Sequence, residues 1–154
     1  MSNMTHRQPT NPTVVFTDRR TVVVEDRPIP VPGPGELLIC THCSLVSVGT
    51  EMSVLDGDPR SGETWRQMQQ YPFQPGYSNL GTVISVGEGL TADWIGRRVV
   101  SWGPHAAYVT MSVDRCWHVT DNISDHEATF LIHFHVAANG LRRSGLSLGE
   151  SAAV

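Results

Sequence analysis

The chain has 154 residues, a net charge of −4 and a pI near 5.9, with 40% hydrophobic and 17% charged residues. That is the length of one ordinary domain, and the acidic balance leaves no basic face for a nucleic acid. All 11 basic residues are arginine, which excludes a lysine Schiff base, a lysine general base and the lysine of a phosphate loop.

In chain order, residues 1–12 are polar and proline-containing and read as a flexible tail, without the apolar stretch of a secretion signal. Residues 13–16 and 21–25 are β-branched runs separated by Asp18-Arg19-Arg20, the pattern of a hairpin. Four prolines between Pro28 and Pro34 force an extended connection, since they lack the amide donor. A long strand is predicted over 36–46, a turn and short helical piece over 47–57, and one or two helical turns over 63–70. Tyr71-Pro72-Phe73-Gln74-Pro75-Gly76 is a proline-punctuated loop. Strands are predicted over 81–86, 98–102, 106–113 and 116–119. About seven strands with tight turns in the first 120 residues suggest a barrel-like β body.

The pattern changes at Ser124-Asp125-His126-Glu127, which fits a capping box. A helix follows to about Ser144, and Gly145 breaks it. No apolar run reaches the ~18 residues of a membrane helix. Three cysteines, Cys40, Cys43 and Cys116, suit a reducing compartment better than a disulfide scaffold. A cytoplasmic protein is expected, with contacts to neither nucleic acid nor membrane.

Several segments carry a family resemblance. Pro30-Val31-Pro32-Gly33-Pro34-Gly35-Glu36-Leu37-Leu38-Ile39 resembles the proline-glycine lead-in of the GroES-like domain of medium-chain dehydrogenases/reductases. Gly76-Tyr77-Ser78-Asn79-Leu80-Gly81-Thr82-Val83-Ile84-Ser85-Val86-Gly87 resembles the signature strand of that family. Gly96-Arg97-Arg98-Val99, Ala107-Tyr108-Val109 and the helix over 128–143 follow in the expected order. Ser47-Val48-Gly49-Thr50-Glu51 and the stretch from Tyr71 to Ser78 look like a zinc-type alcohol dehydrogenase subgroup that lacks the zinc pattern. The resemblance implies an α+β chain in three parts. They are the tail 1–12, a GroES-like substrate domain over 13–123, and a linking helix over 124–154 that ends in the first strand of a dinucleotide-binding domain. That strand would begin near Ser151, so a truncated or split reading frame is expected.

The same resemblance bears on chemistry. Val48 stands where the family carries a cysteine ligand, and Gly76-Tyr77-Ser78 replaces glycine-histidine-glutamate. Valine binds no metal, and tyrosine and serine are poor zinc ligands. A zinc ion is therefore not expected, although a site rebuilt from Glu51, His105 and His133 is conceivable. Cys40 and Cys43 would point to opposite faces of a strand and pack as small hydrophobes. The resemblance places Thr50 at the family's proton-relay hydroxyl and Glu51 at a supporting carboxylate. Tyr77 would donate to a carbonyl where zinc would otherwise polarise it, and His105 would orient a substrate or act as an acid. Each also has a plain structural reading, as a turn threonine, a packed aromatic or a cleft histidine.

No Gly-x-Gly-x-x-Gly opens a helix in this sequence, so no cofactor-binding residue is assigned. NAD(P)H is expected only with the missing domain. The expected function is the catalytic portion of a zinc-independent NAD(P)-dependent oxidoreductase for a small carbonyl, alcohol or activated alkene, inactive as this chain alone. The alternatives are a stand-alone binding module and a half-enzyme completed by a partner chain, or by self-association.

Overall fold

The computed structural model describes residues 9–57, 70–145, 147 and 149–151. The two β-branched runs form the antiparallel hairpin of β1 (Asn11–Asp18) and β2 (Thr21–Arg27), with Val15 opposite Val23. Arg20 takes a φ of 56° in the turn. Five more strands form one antiparallel sheet: β3 (Glu36–Ser44), β4 (Asn79–Val86), β5 (Arg98–Ser101), β6 (Tyr108–Ser112) and β7 (Cys116–His118). Their order is β6-β3-β4-β5-β7.

The seven strands expected from the sequence are present among the described residues, but the barrel-like body is two open sheets. Isolated bridges, Thr13 to Ala106 and Phe16 to Phe73, join the hairpin to the rest. Pro12 and Pro104 flank the first bridge, and neither has an amide to extend a ladder. The predicted helical turns over 63–70 and the strand expected from Ser151 lie almost wholly outside the described residues.

Alternation along the strands gives the sheet two apolar faces. One holds Leu37, Ile39, Val83, Val99, Ala106, Val109 and Cys116. The other holds Leu80 and Val100, covered by Val119, Ala128 and Ile132. Gly81 lies at the crossing of β3 and β4, where a Cβ would sit 2.1 Å from the Cys40 carbonyl oxygen, so no larger residue fits there.

Among the described residues there are three α-helices: α1 (Val48–Asp56), α2 (Asp125–Thr129) and α3 (Leu131–Ser144). The predicted capping box is formed, with Ser124 accepting from the Glu127 amide and the Glu127 carboxylate accepting from the Ser124 amide. The single helix expected over this stretch is divided at Phe130. The reason is visible in β4's lead-in: Ser78 Oγ donates to the Thr129 carbonyl at 2.5 Å, taking an acceptor that a continuous helix would use. Gly145 ends α3 in the left-handed conformation, as expected. No helix of the described residues is long and apolar enough to cross a membrane.

Helix α2 is held to the sheet by Asp125. Its two oxygens accept from Arg98 Nη2 at 2.5 Å and pair with His42 Nδ1 at 2.9 Å. Burial pushes the carboxyl up, but the hydrogen bonds and charges of His42 and Arg98 outweigh it and hold Asp125 below its ordinary value. A depressed carboxylate stabilises the folded state above its unfolded pKa, and that contribution is lost as pH falls through the folded value. The urea midpoint is therefore expected to drop on acidification below the ordinary carboxylate range. Asp125→Asn should lower the midpoint at neutral pH and flatten that acid limb.

Candidate active site

Helix α1 begins where β3 leaves the sheet, with Ser47 as its N-cap in an extended conformation. Glu51 falls in the first turn with 3% of its surface exposed. One carboxylate oxygen accepts from the Ser47 amide at 2.8 Å, so the side chain folds back over the helix start. The other lies 2.8 Å from Nε2 of His105, itself 7% exposed. His105 Nδ1 is 2.8 Å from Ser44 Oγ at the end of β3. A continuous chain thus runs from Ser44 through His105 to Glu51.

His105 is fixed from the backbone side as well. Its amide donates to the Pro75 carbonyl at 3.0 Å and its carbonyl accepts from the Val14 amide at 2.9 Å. Gly76, with a φ of 101°, lets the Pro75–Tyr77 segment run directly against it. A Cβ on Gly76 would lie 2.6 Å from the His105 nitrogen and 2.9 Å from its Cγ. The histidine is therefore wedged between α1 and the segment leading into β4.

Tyr77 emerges from that segment on the face covered by α3. Its ring stacks with Trp102, with centroids 6.1 Å apart, and with His133 of α3, at 5.4 Å. The phenol oxygen is 3.5 Å from His133 Nε2. His133 Nδ1 is buried with no hydrogen-bond partner.

The four residues picked out in the sequence are placed as follows. Glu51 and His105 are in direct contact. Thr50 precedes Glu51 in α1 and is half-buried. Tyr77 follows Gly76, which touches His105, but its own partners are Trp102 and His133. Glu51 and His105 meet, whereas His133 belongs with Tyr77, so the three do not form one donor set. Among the described residues, no three histidine, cysteine, aspartate or glutamate side chains are grouped to hold a metal ion. Two of the three thiols are shifted away from the thiolate form. Burial first, with the charge of Asp114 added, pushes the Cys116 thiol up to about 12. Burial likewise raises Cys43. Ser44 and Trp102 were not evident in the sequence. A strand-end serine has no local signature, and the stacking of Trp102 on Tyr77 joins residues 25 apart.

No family model matches the chain. It is 33% identical over 84 residues to an alcohol dehydrogenase from Moraxella sp. (strain TAE123), an alignment covering 54% of this chain and 23% of that protein. The fold matches the crystal structure of a putative alcohol dehydrogenase from Sinorhizobium meliloti 1021. The TM-score is 0.77 at 26% identity, over 96% of this chain and 50% of the other. It also matches a mycobacterial protein solved in complex with NADPH, with a TM-score of 0.67 at 27% identity over 88% of this chain and 40% of the other. The chain spans half or less of the length of the relatives it matches.

The packing at Gly76 gives a direct test of this geometry. Gly76→Ala is expected to destabilise the fold by about 1–3 kcal/mol, from a strained φ and a backbone clash. In a ¹H–¹³C spectrum it should shift the His105 ring resonances more than those of His118 or His126. Unchanged stability and unchanged His105 signals would mean that the wedge is absent.

Proposed function

We propose that this chain, a medium-chain dehydrogenase/reductase-type domain in sequence and fold, is the substrate-binding portion of a zinc-independent NAD(P)-dependent oxidoreductase. Its substrate class is a small carbonyl, alcohol or activated alkene. The reading is supported by the relatives, one an alcohol dehydrogenase and one an NADPH complex. The observation that carries it is Tyr77, a phenol stacked with two flat rings, Trp102 and His133.

The described residues contain no glycine-rich turn between a strand and a helix, so they do not fit a dinucleotide. A nicotinamide, where bound by a second domain, supplies the hydride. The donor set does not fit zinc either, because Val48, Tyr77 and Ser78 occupy the ligand-like positions.

What remains for this chain is to orient a substrate oxygen and to exchange a proton with it. A phenol donates and accepts, so Tyr77 Oη can stabilise negative charge developing on that oxygen. His133 Nε2, 3.5 Å away, orients the phenol and can replace its proton. The Thr50 hydroxyl, at the start of α1, is a second donor–acceptor. Glu51 and His105 hold α1 in place from beneath.

A second reading keeps the same chemistry but supplies the dinucleotide fold on another chain or a second copy. It is favoured by one observation. Phe130, Phe134, Val136 and Leu141 are all more than half exposed around α3. Beside them lies a groove of 540 Å³ lined by Val119, Ile123, Phe130, Leu131 and Phe134, among others. An apolar surface of this kind suits a neighbouring domain or subunit.

The test is NADPH oxidation with a panel of aldehydes, enones and quinones, using this chain joined to a dinucleotide-binding domain in cis or in trans. Tyr77→Phe is expected to lower kcat/KM about a hundredfold, the scale of a lost general acid. Turnover with Tyr77→Phe equal to the parent would remove Tyr77 from the mechanism. An absence of turnover across the panel in both arrangements would sink the oxidoreductase reading.

A further inference from the structure

We propose that Ser44, His105 and Glu51 form a nucleophilic relay, and that Ser44 Oγ takes up an acyl or phosphonyl group from a small activated ester. This goes beyond the reductase reading and does not depend on it, because it needs neither Tyr77 nor a cofactor.

The argument starts from proton placement. An ionised carboxylate only accepts hydrogen bonds. Glu51 Oε2 at 2.8 Å therefore holds the imidazole proton on Nε2, which leaves the Nδ1 lone pair facing Ser44 Oγ, also at 2.8 Å. A hydroxyl whose proton lies on a neutral imidazole nitrogen is the resting arrangement of an activated serine. The constellation is recognised by these roles and not by chain order.

Each member is held as its role requires. The carboxylate is locked by the Ser47 amide through Oε1, so it cannot swing away from the ring. The ring is locked by its backbone bonds to Pro75 and Val14 and by Gly76 against its edge. Burial grades along the chain. Glu51 and His105 are buried, while Ser44 is half-buried, the least enclosed of the three. Four residues beyond it begins α1, whose first-turn amides have no acceptor within the helix. Val48 and Gly49 there are exposed.

The step balances without a further reactant. Ser44 Oγ attacks the acyl carbon, the Oγ–C bond forms, and the serine proton moves to His105 Nδ1. The bond from the acyl carbon to the leaving oxygen breaks, and that oxygen departs with the proton from His105. With an alkyl fluorophosphonate the same attack forms an Oγ–P bond, and fluoride leaves.

The full chain is incubated with an alkyl fluorophosphonate and read by intact mass and peptide mapping. The expected result is a single adduct on Ser44, absent in Ser44→Ala, with Ser85 unlabelled. Ser85 is a half-buried strand serine outside this relay and serves as the internal reference. Glu51→Gln should label more slowly by at least about tenfold, since it loses the acceptor that fixes the histidine tautomer. No adduct would overturn the proposal, as would equal labelling of Ser44 and Ser85. Labelling of a folded Glu51→Gln variant at the parent rate would also overturn it.

Discussion

A carboxylate withdrawn from water must have its charge answered, or the fold loses several kcal/mol. Glu51 is such a group, and both its oxygens are answered, one by the Ser47 amide and the other by His105. Those two contacts join parts of the chain that are far apart in sequence. The N-terminus of α1 is fixed to the loop before β6, and through His105 to the end of β3. The same histidine bonds its backbone to β1 and to Pro75. Removing either partner would leave a buried polar group stranded, so the region around α1 stands or falls as a unit.

The other half of the site depends on an interruption. A continuous helix from Ser124 would have carried its side chains past β4 at a single pitch. Ser78 takes the Thr129 carbonyl instead, and the backbone restarts at Phe130. The second helix then presents Ile132 to the core and His133 to Tyr77. Ser78 and Tyr77 are adjacent, so one short segment both breaks the helix and receives the side chain that the break redirects. Asp125 fixes the other end of the arrangement by tying α2 to Arg98 and His42.

Much of the fold was legible in the sequence because its signals are local. The β-branched runs around Arg19-Arg20, the capping box at Ser124 and the glycine after Ser144 each act within a few residues. The openness of the sheet was not legible, since it depends on how far β1 can pair beside Pro12 and Pro104. Nor was the break at Phe130, which is caused by a hydrogen bond spanning 51 residues. The candidate site divides in the same way. Glu51 and His105 were grouped in the sequence only as donors of a conceivable metal site with His133, and the tertiary structure makes them a hydrogen-bonded pair instead. Ser44 and Trp102 owe their interest wholly to neighbours that the sequence does not place beside them. His133 was weighed as a metal donor with Glu51 and His105, but it stacks on Tyr77 instead.

Helix α1 is gripped at both ends. At its C-terminus the hairpin turn delivers the Arg20 amide to the Leu55 carbonyl at 2.8 Å, Arg19 Nε to the Asp56 carbonyl at 2.5 Å, and Arg20 Nε to the Asp56 side chain at 2.7 Å. Cations and donors there complement the helix dipole. Nine residues rise only about 13 Å, so the hairpin tip and the buried carboxylate bear on opposite ends of one short strut. Sliding or tilting the strut would disturb both anchorages together. The N-terminal hairpin is thus mechanically part of the site, and substitutions at its tip are a remote handle on the angle at which Thr50 is presented.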